Sequence, residues 1–395
     1  MDSELLTRAV AKVIPQKLAE EKIASGKKLR IYWGIDPTGT RIHLGHSVPL
    51  RKMKQFADAG HHVIMIIGSF TAMIGDPTGQ DAQRSQLSRE QVQQNFTTYR
   101  EQASKILDFS KIEIRYNHEW LEKLTLAELL HLASQFTLNE MAARAMFQER
   151  LSKNKPVSLH EFLYPLMVGY DSVILDVDCE LGGTDQEFNM LCGRHLQKVF
   201  GKREKFVLTT KLIEGTDGRK MSKSYDNCVY LDDAPKDMYG KLLSINDELI
   251  TVYMQCCTDI PMVEIREAEK VMNGSTKLTT GKGNNPKDFK MRLAKEIVRM
   301  YHGEKTAEAA EAEFQRVFKD KGLPDDIEEV RAKKGSLLID VLVQAKLASS
   351  KTQARHLIEQ GGVKIDDKVV PSIDAKVSEG ILKVGKRKFA RLVVG

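Results

Sequence analysis

Apolar positions in the first half of the chain fall into short unbroken runs. Leu29 to Ile35 is one, Val63-Ile64-Met65-Ile66-Ile67 a second, and Phe206-Val207-Leu208 a third. Runs of this length without alternation mark strands buried on both faces, as in a parallel sheet covered by helices. Between the first two lie the turn-rich Asp36-Pro37-Thr38-Gly39-Thr40 and a helical stretch from about His43 to Gly60. Strand, loop, helix and strand make a β-α-β unit, which predicts an α/β fold with a Rossmann-like, doubly wound parallel sheet. Ser172 to Leu181 is expected to add a further strand. Ligands of such sheets bind beyond the carboxyl ends of the strands, where the loops starting at Gly34, Gly75 and Gly182 would lie.

Helical patterns occupy most of the remainder. Glu90 to Arg150 is rich in Glu, Gln, Ala and Leu, with no sharp breaker before Pro156, and predicts a helical excursion from the sheet. Helical spacing returns from Pro235 to about Gly322, interrupted by a loop at Gly281-Lys282-Gly283-Asn284-Asn285-Pro286. A charged, proline-marked connection around Gly322 to Gly335 follows. Beyond it Leu338, Ile339, Val341, Leu342, Ala345 and Leu347 repeat at helical spacing. Ala354 to Gln360 then makes a helix that ends at Gly361-Gly362, before short alternating strands. The expected domains are residues 1–230, α/β with a helical insertion at about 110–156; residues 231–325, α-helical; and residues 333–395, a small α+β unit.

Composition narrows the class. A chain of 395 residues with 42% hydrophobic content can bury more than one core. No apolar run approaches the roughly 18 residues of a membrane span. Met1 to Pro15 lacks the apolar core of a secretory signal, so a cytoplasmic protein without membrane contact is expected. Cys179, Cys192, Cys228, Cys256 and Cys257 have neither a C-x-x-C pair nor zinc-spaced histidines. They are expected to be buried packing residues, with no structural metal. The net charge of +6 is unevenly spread: from Arg331 onward, 14 Lys and Arg face 6 Asp and Glu, a local +8 that leaves −2 elsewhere.

Two short motifs carry candidate chemistry. In His43-Leu44-Gly45-His46 two imidazoles three apart share one face at a helix N-terminus, a place that favours anions, and Gly45 lets a nucleotide approach the backbone. In Gly218-Arg219-Lys220-Met221-Ser222-Lys223-Ser224 two lysines sit in a loop of small and hydroxyl residues that can fold over a triphosphate. Either motif alone is unremarkable, a pair of ordinary histidines or a solvated basic turn. Their pairing, in a chain whose first half reads as a nucleotide-binding α/β fold with no P-loop and no G-x-G-x-x-G, points to chemistry on ATP.

Together the motifs resemble the two signatures of the class I aminoacyl-tRNA synthetases. Four further segments resemble successive motifs of the bacterial tyrosyl-tRNA synthetases: Tyr32-Trp33-Gly34-Ile35-Asp36-Pro37-Thr38, Gly75-Asp76-Pro77-Thr78-Gly79, Tyr164 with Asp171, and Gly182-Gly183-Thr184-Asp185-Gln186. The Lys-Met-Ser-Lys-Ser spelling is similar to one branch of them. The resemblance implies a homodimer joined through the excursion between Ser110 and Pro156. It also implies that tyrosine is activated by ATP with Mg2+ and transferred to the 3' end of tRNA(Tyr).

By that resemblance, Tyr32 and Asp171 would bind the phenolic hydroxyl of tyrosine. Asp76, Tyr164 and Thr71 would hold its ammonium end, with Gln186 beside them. Gly34, Asp36, Gly45, Gly183, Asp185, Lys223 and Arg84 would line ATP or the adenylate. His43, His46, Lys220, Lys223 and Thr38 would be the catalytic set. One position departs from the pattern: Val168 stands where the family has Gln. Valine cannot bind an ammonium group, so either Gln186 or a water compensates or the grip is weaker.

Residues 231–325 would bind the anticodon. The basic tail resembles the small RNA-binding module of ribosomal protein S-four. Lys351, Arg355, Lys386, Arg387 and Lys388 are its expected phosphate contacts. The rival readings are a tryptophan-specific synthetase of the same class and an inactive relative that only binds RNA.

Overall fold

The computed structural model describes residues 2–78, 87–222, 225–273, 285–318, 329–348, 350–385 and 388–395. The chain divides into two compact units, Met1–Glu304 and Lys305–Gly395. The first is built on a six-stranded sheet: β1 (Val10–Ile14), β2 (Arg30–Ile35), β3 (His62–Ile67), β4 (Ile112–Tyr116), β5 (Cys179–Gly183) and β6 (Phe206–Thr210). The spatial order is β1-β6-β5-β2-β3-β4. All neighbours are parallel except β1, which runs antiparallel along β6.

The unbroken apolar runs occupy the interior of this sheet. Val63 to Ile67 of β3 and Phe206 to Leu208 of β6 are fully buried. The helix Leu44–Asp58 returns the chain from β2 to β3, burying Leu44, Val48, Leu50, Met53 and Phe56. From β2 the chain first builds outward through β3 and β4, then crosses over to place β5 and β6 on the other side of β2. That reversal opens a crevice between the carboxyl ends of β2 and β5, the preferred ligand site of such sheets.

Two expected elements need correction. Ser172 to Leu175, read as the start of a strand, is the last turn of the helix Leu159–Leu175. That helix stops where Asp176 takes a left-handed conformation, and the strand begins only at Cys179. The stretch Glu90 to Arg150, read as wholly helical, contains β4, an edge strand whose Ile112-Glu113-Ile114 alternates because only one face is deeply covered. The rest of it is helical, at Arg89–Ala103, Leu126–Ala133, Leu138–Ala142 and Ala145–Ser152. Capping boxes at Ser88, Thr125 and Thr137 start the first three of these. A buried ion pair between Arg150 Nη1 and Glu161 Oε2, 2.6 Å apart, ties the last of them to Leu159–Leu175.

Helices at Pro235–Leu243, Ile250–Cys257, Met262–Met272 and Pro286–His302 complete the first unit. Of the expected loop Gly281 to Pro286, residues 281–284 lie outside the described residues, while Asn285 caps and Pro286 begins the last of these helices. The N-terminal segment is fastened to this region: Arg8 Nη2 donates to the carbonyls of Thr258 (2.7 Å) and Ile260 (2.8 Å). All five cysteines are buried and free.

The second unit holds a five-stranded sheet, β7 (Glu329–Ala332), β8 (Val363–Ile365), β9 (Lys368–Val369), β10 (Gly380–Val384) and β11 (Lys388–Val394), in the order β7-β11-β10-β8-β9. The helices Leu338–Gln344 and Lys351–Glu359 pack on it through Leu338, Leu342, Ala354 and Ile358. Most of the expected connection around Gly322 lies outside the described residues. No described helix is long and apolar enough to cross a membrane.

Candidate active site

The crevice between β2 and β5 deepens into a pocket of about 470 Å³, including its open mouth. Tyr32, Gly34 and Asp36 line it from β2 and the following loop, Thr71 from beyond β3, Tyr164, Val168 and Asp171 from one helix, and Gln186 from the loop after β5. Seven of the eight residues just named are candidate ligands drawn from sequence segments up to about 150 positions apart. The eighth is Val168, whose side chain adds no hydrogen bond to that wall.

At the closed end, Asp171 is buried, and burial pushes its carboxyl well above the ordinary aspartate range. Its oxygens are held by Trp120 Nε1 at 2.8 Å and Asn117 Nδ2 at 3.3 Å. Tyr32 is also buried, with its hydroxyl 2.8 Å from Ser172 Oγ. A phenol entering this end would meet the Tyr32 hydroxyl and the Asp171 carboxylate.

In the same pocket, Asp36 accepts hydrogen bonds from Thr71 Oγ1 (2.7 Å) and Tyr164 Oη (2.9 Å). Thr71 Oγ1 also accepts from Asn117 Nδ2 at 3.0 Å, so a carboxylate and two hydroxyls gather here, a polar cluster suited to a cation. Gly68 makes room for this cluster, since a Cβ there would overlap Asp36 Oδ1 and Thr71 Oγ1. Asp76 accepts from its own loop at Thr78 N (2.9 Å) and from Gln186 Nε2 (2.8 Å). Asn189, which also lines the pocket, donates to Gln186 Oε1 at 2.8 Å and keeps a buried Oδ1 without a hydrogen-bond partner.

The two histidines sit at the start of the helix Leu44–Asp58, His43 as its N-cap residue. Their rings stack at 3.7 Å. Gly45 permits this, because a Cβ there would stand 2.9 Å from the His43 ring. Burial drives the pKa of His43 down to about 2, assisted by His46 and Lys220, and that of His46 down to about 4. Both imidazoles are neutral at pH 7, and both Nδ1 atoms are buried without a hydrogen-bond partner.

The lysine loop reaches the same place. Lys220 Nζ lies 3.0 Å from Asp185 Oδ2, in the loop that also carries Gly183 and Gln186. Asn227, which the sequence reading missed, organises this loop: its amide donates to Asp217 Oδ1 (2.7 Å) and the Lys220 carbonyl (3.1 Å), and its Oδ1 accepts from Ser222 N (2.9 Å). Gly215 leaves space for that side chain, and Gly218 (φ +78°) supplies the left-handed turn. Thr38 is exposed on the loop after β2. Lys223 and Arg84 lie outside the described residues.

In the second unit, Lys351 and Arg355 are exposed on one helix, Lys351 paired with Asp340 at 2.7 Å. Lys388 opens β11, and Lys386 and Arg387 lie outside the described residues. Trp120, Asn117, Ser172, Glu180, Lys205 and Asn189 were also missed, each being a single polar residue with no local motif around it.

The family model described as tRNA synthetases class I (W and Y) matches residues 24–319, and the S4 domain matches residues 338–380. A tyrosine–tRNA ligase of Thermotoga maritima is 45% identical over 99% of this chain and 97% of its own length. Another, of Burkholderia lata, is 47% identical over 96% of this chain and 90% of its own. The chain belongs to the class I tyrosyl-tRNA synthetase family. It is therefore an aminoacyl-tRNA synthetase with an S4 domain at its C-terminal end. Solved tyrosyl-tRNA synthetases share the fold. That of Archaeoglobus fulgidus, complexed with L-tyrosine, superposes with a TM-score of 0.60 at 20% identity over 78% of this chain and 98% of its own. A truncated mitochondrial enzyme of Coccidioides posadasii gives 0.60 at 24% identity over 79% and 90%.

Proposed function

We propose that this synthetase activates L-tyrosine with Mg-ATP and loads it onto tRNA(Tyr), with the sequence-identified residues in their expected roles. The observation that carries the reading is the pocket at the β2/β5 crevice, lined by Tyr32, Asp171, Tyr164 and Thr71, with Asp76 hydrogen-bonded to the lining residue Gln186. The tyrosine carboxylate attacks the α-phosphorus of ATP. A carboxylate O–P bond forms, the α–β phosphoanhydride bond breaks, and pyrophosphate leaves. A ribose hydroxyl at the tRNA 3' end then attacks the adenylate carbonyl and AMP departs. Neither step uses a covalent enzyme intermediate.

The chain's own part is orientation and charge stabilisation. His43 and His46, neutral and stacked, offer N–H donors, and Lys220 and Lys223 offer cations to the phosphates. Gly34, Asp36, Gly45, Gly183, Asp185 and Arg84 border the nucleotide, and Thr38 lies on the adjoining loop. Magnesium arrives with the triphosphate. The described residues gather no cluster of three acidic, His or Cys side chains that could hold a metal ion by themselves.

Leu126, Leu130, Leu138 and Leu159, each at least three-fifths exposed, form apolar positions on the excursion and the helix after it. They support its role as a homodimer interface. Lys351, Arg355, Lys386, Arg387 and Lys388 contact tRNA phosphates, residues 231–325 bind the anticodon, and the enzyme works in the cytoplasm. ATP–pyrophosphate exchange with each standard amino acid in turn tests the reading. Exchange with tyrosine alone is expected; exchange with tryptophan, or with none, overturns it.

A further inference from the structure

Beneath Tyr32 lies a buried polar network that no part of the mechanism above uses. Lys205, immediately before β6, is fully buried, and its ammonium donates to Ser172 Oγ at 2.7 Å and to Glu180 Oε2 in β5. Ser172 Oγ in turn lies 2.8 Å from Tyr32 Oη and 3.3 Å from Glu180 Oε2. The ammonium also stands 5.8 Å from the centre of the Tyr32 ring. Gly193 makes the space: a Cβ there would be 2.5 Å from Ser172 Oγ and 2.7 Å from Lys205 Nζ. Strand, helix and glycine thus converge on an ion pair that is expensive to bury and that touches the wall of the substrate pocket.

An ammonium has three hydrogens to give and no lone pair with which to accept. Lys205 therefore occupies an acceptor position on Ser172 and also engages Glu180 Oε2, the serine's other acceptor at 3.3 Å, and the shorter contact, 2.8 Å to Tyr32, is assigned the serine hydrogen. Tyr32 is then an acceptor on its buried side, and its own hydrogen points into the pocket. Across the pocket, Asp171 is held by two N–H donors and presents carboxylate oxygens. We propose that Lys205, acting through Ser172, is a specificity-determining positioning residue that fixes Tyr32 as donor opposite Asp171 as acceptor, so that the pocket selects a para substituent able both to accept and to donate.

A phenol does both. An aromatic amine donates twice and accepts poorly. Without Lys205, Glu180 becomes the free acceptor, Ser172 turns its hydrogen there, and Tyr32 donates backward into Ser172. The pocket would then present two acceptors, which suits an amine better than a phenol.

The inference rests on the tyrosine reading, and the experiment separates the two. The full-length enzyme and its Lys205→Met variant are assayed for pyrophosphate exchange with tyrosine and with 4-aminophenylalanine. If the unaltered enzyme fails with tyrosine, the functional reading falls. If it works, Lys205→Met is expected to lower the ratio of kcat/KM for tyrosine to that for 4-aminophenylalanine by ~10-fold, with KM for ATP unchanged. The double variant Lys205→Met/Glu180→Gln removes both buried charges, leaves an amide oxygen to take the Ser172 hydrogen, and is expected to shift the ratio the same way, which covers the case in which Lys205→Met alone does not fold. A ratio unchanged in the folded variants, or both substrates impaired equally, overturns the proposal.

Discussion

Lys220 and Asp185 form an ion pair at 3.0 Å, joining the lysine loop to the loop after β5. Lys220 is more than half exposed there, so the pair adds little to stability. Its place is beside the histidines, where its charge lowers the pKa of both. Lys220→Ala is expected to leave the thermal midpoint within about 2 °C while slowing adenylate formation by about 100-fold. Tyrosine binding should change far less. Single-turnover measurement of adenylate, alongside tyrosine titration of the apoenzyme, checks this.

The stacked histidines make a prediction about acid. Their folded pKa values, about 2 and about 4, lie below the ordinary 6.5, so the unfolded chain takes up protons first as pH falls. Stability is therefore fully present above pH 6.5 and is lost below it, down to about pH 4 for His46 and further for His43. The slope is at most about 1.4 kcal/mol per pH unit for each ring. Urea unfolding between pH 7 and 4.5 should show a shallower decline in His46→Gln than in the unaltered protein. Equal slopes would contradict a neutral, buried His46.

Asp171 predicts a pH effect on substrate binding instead. Burial raises its pKa, and a carboxylate that must accept from a phenol is useful only when ionised. The kcat/KM for tyrosine should thus fall on the acid side at a pH above the usual aspartate range. Asp171→Asn should remove that limb along with most of the activity. Tyr32→Phe is expected to cost tyrosine about 1–3 kcal/mol of transition-state binding, a penalty phenylalanine does not share.

Removing the chain from about Arg331 should spare tyrosine-dependent pyrophosphate exchange and abolish most tRNA charging. The tail carries the local +8 and the S4 match, while every pocket residue lies in the first unit. Charging at an unchanged rate by the shortened enzyme would refute an RNA-binding role for the tail.

Much of this was legible in the sequence because central parallel strands and local motifs leave strong traces. β2, β3 and β6 are buried on both faces and appear as apolar runs. β1 and β4 sit at the edges: Val10–Ile14 is too short and too little buried to stand out, and the alternation of β4 hid among helical patterns. Val173-Ile174-Leu175 imitates a strand by composition. Its position in the last turn of a helix is set by packing against neighbours distant in sequence, and no residue nearby announces it. The His and Lys motifs were visible as short strings. Asn227 and the Ser172–Glu180–Lys205 network were not, because each contributes one polar residue whose partner is fixed only by the fold.

The fastening of Arg8 to the carbonyls of Thr258 and Ile260 bears on how the polypeptide is made. The opening segment also pairs, through β1, with β6 some two hundred residues later. Lys52 can hold the Leu5 carbonyl (3.1 Å) early in synthesis, whereas Arg8 and β1 have to wait for Thr258, Ile260 and β6 until more than half of the chain has emerged from the ribosome. The inner strands can assemble in order of synthesis, whereas β1, made before them, docks after them. Limited proteolysis of stalled chains at the Arg8 bond should accordingly register protection late, after residue 260 has left the exit tunnel.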